Sequence, residues 1–111
     1  MENFTVYWND EKTAYVDLTG QTVRITRYVK HPVKQIFAKD EMNRYEFGEI
    51  LKSRCWDENR ANLDLYLEKM GLDAFNPYEI CRKTHGVMFG SKIWFCFEGE
   101  ELCAKDILMK G

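Results

Sequence analysis

The hydrophobic pattern changes its period from two to about 3.6 at His31-Pro32, and that change limits what the chain can fold into. Before it, FTVYW (4–8), AYVDL (14–18) and TVRITRYV (22–29) alternate apolar with polar residues, the period of a half-buried strand. After it, NRYEFGEILKSRC, DENRANLDLYLEKMG and NPYEICRKTHG carry apolar residues at helical spacing. The alternation predicts three consecutive strands, with Asn9 to Lys12 as a hairpin loop of about four residues. Proline cannot donate to a ladder, so Pro32 ends this meander. In the third strand Val23, Ile25, Arg27 and Val29 share one face, and Arg24, Thr26, Tyr28 and Lys30 share the other.

Three helices follow. Phe47, Ile50, Leu51 and Arg54 form one stripe, and Gly48 weakens that helix by about 1 kcal/mol relative to alanine. Asp57 can cap the second, whose Leu63, Tyr66, Leu67 and Met70 line one face and which Gly71 can stop. Asn76 can cap the third, expected over about 77–85: Pro77 suits the first helical position and Glu79 can reach back to the cap. Gly86 then takes the left-handed position after it. KIWFCFE (92–98) is apolar on both faces, the pattern of a strand covered on both sides and normally central in its sheet. Coming last, it is expected to return to the N-terminal meander. Leu102, Cys103, Ile107 and Leu108 predict a closing helix from about 101 to 109. The class is α+β, one domain over 1–111: an antiparallel sheet of meander plus returning strand, packed against three to four short helices.

The 111 residues are 45% hydrophobic and 14% aromatic, enough for a core without staples. No apolar run approaches the ~20 residues that span a bilayer, and the N-terminus lacks the basic lead and apolar stretch of a secretory signal. A cytoplasmic location is expected, with Cys55, Cys81, Cys96 and Cys103 reduced. The net charge of −2 is patterned: 18–39 and 80–97 contain no acid, and acids dominate elsewhere. That excludes a globally basic nucleic-acid binder but leaves local basic patches and an acidic face toward a basic partner.

No catalytic motif is complete. Cys81 and His85 share a helical face and could contribute two ligands to a zinc, but a structural site needs four and the other thiols are isolated in sequence. The competing reading makes Cys81 a core residue and His85 a partner of the last helical carbonyls. Cys55, ahead of a helix start, is the best-placed nucleophile, yet no His is near it. Asp40-Glu41, Asp57-Glu58 and Glu100-Glu101 sit where helix starts and turns favour acids. Neither a metal, a cofactor nor an enzymatic activity is expected. Arg24, Tyr28 and Lys30 alternate on one sheet face, which can hold phosphates and stack a base, or can simply pair with acids such as Asp17. Trp56, between Cys55 and Asp57, is the tryptophan expected near the surface, and Arg82 and Lys83 are the cations of NPYEICRKTHG left without a structural task.

The segments SRCWDENRANLDLYLEKMGL and NPYEICRKTHGVMFGSKIWFCFEGEEL resemble small proteins encoded by phages and mobile elements of Firmicutes-type bacteria. The likeness rests on Arg60, Asn62, Gly71-Leu72, Asn76-Pro77, Thr84-His85-Gly86, Trp94 and Gly99-Glu100, and brings no catalytic residues with it. It implies an accessory protein in a host bacterial cell, a setting that includes inhibitors of host defence such as anti-CRISPR proteins, which occupy a basic groove on a nucleoprotein enzyme. The leading expectation is therefore a non-enzymatic binding protein whose partner is a CRISPR effector or another nucleoprotein. Trp56, Asp57, Glu58, Asp64, Glu68, Arg82 and Lys83 would meet that partner, the acids of 98–101 adding to the mimicry of phosphates. The alternatives are a nucleic-acid-binding regulator using Arg24, Tyr28 and Lys30, and a zinc protein centred on Cys81 and His85.

Overall fold

The computed structural model describes residues 2–55, 61–88 and 90–108. Their elements run β1 (Phe4–Trp8), β2 (Glu11–Asp17), β3 (Val23–Arg27), β4 (Glu41–Met42), α1 (Arg44–Lys52), α2 (Leu63–Met70), α3 (Pro77–Thr84), β5 (Ile93–Phe97) and α4 (Ala104–Leu108). The strands form one five-stranded sheet in the order β4-β3-β2-β1-β5, every pairing antiparallel. This is the α+β architecture that the change of period predicts, with four short helices among the described residues.

The β1–β2 turn is tighter than expected. Only Asn9 and Asp10 separate the strands, and Asn9 takes φ 53°, a left-handed conformation that Asn tolerates. The residue gained in the ladder is absorbed by a bulge: Val6 faces Ala14 while Tyr7 faces Lys12, leaving Thr13 unpaired. Thr13 is fully buried, and its hydroxyl and carbonyl are both bonded. Its hydroxyl donates to Val6 O at 3.2 Å, and its carbonyl accepts from Tyr28 N–H at 2.9 Å and Gln35 Nε2 at 2.8 Å. β3 stops at Arg27 rather than running to Val29: Tyr28 N–H makes one more bond in register, to Thr13 O, and the pairing ends on that bulge residue. Arg27, expected on the core face, instead reaches outward to Asp40 at 2.7 Å. Asp40-Glu41 is not a helix start: Asp40 O accepts from Ile25 N–H, and Glu41 and Met42 form β4 beside Arg24 and Val23.

Asparagine side chains cap α1 and α3. Asn43 Oδ1 accepts from Glu46 N–H at 2.7 Å to start α1, and Asn76 Oδ1 accepts from Glu79 N–H at 3.2 Å to start α3 with Pro77 next. Phe47 and Leu51 of α1 and Ile80 and Cys81 of α3 face the sheet. α2 buries Leu67 and half-buries Leu63, Tyr66 and Met70, the stripe expected, and Gly71 ends it at φ 75°. It begins at Leu63 after a left-handed Asn62, and Asp57, the cap expected from sequence, lies outside the described residues. The core between sheet and helices centres on Phe4, whose ring stacks on Phe95 at 4.7 Å and meets Phe97 at 4.9 Å.

β5 returns to β1 as expected but is an edge strand, not a central one. Ile93, Phe95 and Phe97 join the main core. Trp94 points the other way, fully buried, stacked on Tyr7 at 4.7 Å with its indole N–H on Asn9 O at 2.7 Å. α4 packs against β5 and is tied to the hairpin turn, where Asp10 Oδ1 accepts from Ala104 N–H at 2.9 Å. The strand's outer edge is closed without a further strand. Phe95 N–H donates to His85 O at 2.8 Å, Ile93 N–H to Ser91 Oγ at 3.1 Å and Phe97 N–H to Glu100 Oε1 at 2.8 Å, while Arg54 Nη2 reaches Ile93 O at 3.3 Å. An edge satisfied in this way offers no free ladder to another chain.

Candidate functional site

The C-terminal end of α3 is a junction. His85, expected in the last helical turn, is the cap itself at φ 57°, and Gly86 follows at φ 65°. Gly86 is pressed against a ring: a Cβ there would lie 2.5 Å from Phe95. The His85 ring turns away from Cys81 and meets Glu100, Nε2 to Oε2 at 2.9 Å. Arg82 does have a structural task. It lies over the Phe97 ring at 4.8 Å, 3.2 Å from Glu2 and 3.9 Å from Glu100, and is only about a third exposed. It closes the N-terminus onto α3 together with Tyr78, whose hydroxyl accepts from Glu2 N–H at 2.7 Å. Desolvation works upward on the Glu100 carboxyl, but the His85 bond, the Phe97 N–H and the charges of His85 and Arg82 outweigh it and hold the group below its ordinary range. Glu98 is engaged too, accepting from Tyr15 OH at 2.7 Å. The acids of 98–101 are thus partly spent inside the fold, and Lys83 is the exposed cation of this stretch.

Cys81 meets a thiol rather than an imidazole. Its Sγ is 3.9 Å from that of Cys55, both buried, with Leu51 O between them. Arg54 lies alongside, on the stripe that sequence shares with Phe47, Ile50 and Leu51. Its guanidinium donates to Gly86 O at 3.0 Å, Ser91 Oγ at 2.9 Å and Ile93 O at 3.3 Å, all neutral acceptors. A cation at a stripe position beside apolar residues was the sequence signal for a half-buried arginine; that it would close a strand edge depends on contacts far apart in the chain. Among the described residues no three His, Cys, Asp or Glu side chains converge as a metal site.

α2 presents an open acidic face. Asp64, Leu65 and Glu68 point outward, Leu65 at 56% exposure, beside a shallow groove of about 460 Å³ lined by Asp64, Leu67, Glu68, Gly71, Leu72 and Asp73. Helical spacing sets this arrangement, since Leu67 and Leu63 fill the inward side. Trp56, Asp57 and Glu58 lie outside the described residues.

The sheet face of Arg24 is differently balanced. Arg24 pairs in register with Asp17 on one side and Glu41 on the other, its Nε 3.5 Å from Glu41. Tyr28 and Lys30, both exposed, lie beyond the end of β3. A different aromatic-cation group was not visible in sequence: Trp8 carries Lys34 at 4.7 Å and Lys92 at 5.3 Å over its ring, and Lys34 also bonds Glu11 at 2.9 Å. No helix among the described residues is long and apolar enough to cross a membrane. No known protein family, curated protein or solved structure matches the chain.

Proposed function

We propose that the chain is a non-enzymatic binding protein that meets its partner through the outer face of α2. One observation carries this reading: Leu65 stands exposed beside Asp64 and Glu68 on a helix whose opposite side is anchored in the core. An apolar anchor set among carboxylates suits a basic partner surface, because the charges steer the encounter and the desolvated side chain holds the complex. Asp73 adds to the acidic rim, and Asp57 and Glu58 stand close by in sequence. A nucleic-acid-binding groove is the commonest basic surface of that kind, and the resemblance to phage and mobile-element proteins supplies a partner class: a CRISPR effector or another defence nuclease, inhibited by an acidic surface standing in for phosphates. The nucleic-acid reading of Arg24, Tyr28 and Lys30 is weaker, since the two acids facing Arg24 offset its charge.

The test is a cleavage assay with guide-loaded RNA-guided nucleases, with co-elution measured in parallel. The expected result is inhibition and a complex at low salt, weakened at least tenfold by reversing both charges in Asp64→Lys/Glu68→Lys. No complex with any effector at low salt, or inhibition indifferent to the reversal, would sink the proposal.

A further inference from the structure

Cys55 and Cys81 flank the segment that carries α2, and their sulfurs lie 3.9 Å apart in the seam between α1 and α3. Both thiols are free, and Leu51 O is within 3.3 Å of Cys55 Sγ and 3.7 Å of Cys81 Sγ. The two therefore compete for one carbonyl and turn to each other. From 3.9 Å, a bond of ~2.05 Å needs an approach of about 1.9 Å. Cys81 is fixed inside α3, whereas Cys55 lies in the turn after α1, held by its N–H on Lys52 O at 3.1 Å, so the approach loosens one turn bond and leaves α3 intact. The charge of Arg54, next to Cys55 in sequence, acts on both sulfurs, and the acceptors that its guanidinium finds among the described residues are neutral. The two thiols are the only groups near it that can become anions among those described.

We propose that Cys55 and Cys81 form an oxidisable dithiol site that reduces a hydroperoxide and closes into a disulfide joining the end of α1 to α3. Cys55 is the attacking sulfur: it lies in the turn after α1 and is 7% exposed, against 1% for Cys81 inside α3, so it is the thiol a peroxide reaches first. The positive charge of Arg54 favours its thiolate against the effect of burial. The Cys55 thiolate attacks one peroxide oxygen: an S–O bond forms, the O–O bond breaks, and the departing hydroxide leaves as water with the proton Cys55 gave up. Cys81 Sγ then attacks the Cys55 sulfenic acid: an S–S bond forms, the S–O bond breaks, and the leaving hydroxide takes the Cys81 proton as a second water. Two thiols lose two electrons and one hydrogen peroxide becomes two waters. The loop so closed contains α2 whole, so oxidation tethers the segment at both ends; the dithiol chemistry itself does not depend on α2 having a partner.

The experiment treats the native chain with hydrogen peroxide, unfolds it, alkylates the remaining thiols and maps the peptides by mass. The expected product is a Cys55–Cys81 cross-linked peptide lighter by two hydrogens, reversed by dithiothreitol, with Cys96 still alkylated. Cys81→Ala should leave Cys55 as a sulfenic acid that dimedone traps, and Cys55→Ala should leave Cys81 unoxidised. Oxidation of exposed Cys103 while Cys55 and Cys81 both stay alkylatable would overturn the proposal, as would sulfenic acid trapped on Cys81. The wild-type map decides the matter even where a variant fails to fold.

Discussion

Gly86 is the residue on which the local packing turns. Its positive φ of 65° disfavours any side chain, and a Cβ would meet the Phe95 ring at 2.5 Å, with the ring fixed in the core. Gly86→Ala is expected to cost about 2–4 kcal/mol, seen as a lower urea midpoint with unchanged slope; a loss under about 0.5 kcal/mol would mean the ring can move aside. Glu100 sets a pH dependence. Its carboxyl is depressed in the folded chain, so it contributes stability above the ordinary glutamate value of about 4.3, and that contribution is lost as pH falls through the depressed value. Denaturation at a series of acid pH values should show Glu100→Gln losing less stability than wild type below about pH 4.3. Equal losses would show that the partnership with His85 and Arg82 contributes nothing. The residues of NPYEICRKTHG were legible where their duty is local: Asn76, Pro77 and Cys81 do what their positions suggest. Arg82 and His85 were not, because Glu2 and Glu100, which engage them, are distant in sequence.

At the scale of elements, short-range chemistry wrote the strands and caps into the sequence, and long-range hydrogen bonds decided where they stop. β3 ends where its pairing with β2 reaches the bulge at Thr13, and β4 extends its pairing with β3 through Asp40 O on Ile25 N–H. Neither the bulge nor the two-residue β4 has a periodic signature. β5 shows the same limit: covering on both faces was visible in KIWFCFE, but its edge is sealed by His85, Ser91, Glu100 and Arg54 instead of by another strand. Arg54→Ala leaves Gly86 O and Ile93 O without that donor and should cost about 2 kcal/mol or more. Hydrogen exchange should then quicken at β5 ahead of β2, whose two neighbours are strands. Unchanged exchange at β5 would show the guanidinium is dispensable to the edge. Asn76→Ala tests α3 separately, with an expected loss of about 1 kcal/mol from the cap.

For the whole molecule, the distribution of charge matters more than its sum of −2. Many of the cations are matched within the fold: Arg24 and Arg27 by Glu41 and Asp40, Lys34 by Glu11, Lys39 by Glu46, Arg82 by Glu2. Asp64 and Glu68 point away from the core on α2, beside an exposed leucine. The most direct test of that face is the dissociation constant of the complex with a guide-loaded nuclease, measured across a salt series for wild type and for Asp64→Lys/Glu68→Lys. Wild-type affinity is expected to fall steadily with salt, and the reversed variant to bind at least tenfold more weakly with a flatter dependence. Equal affinities and equal salt slopes for the two proteins would contradict a partner held through α2.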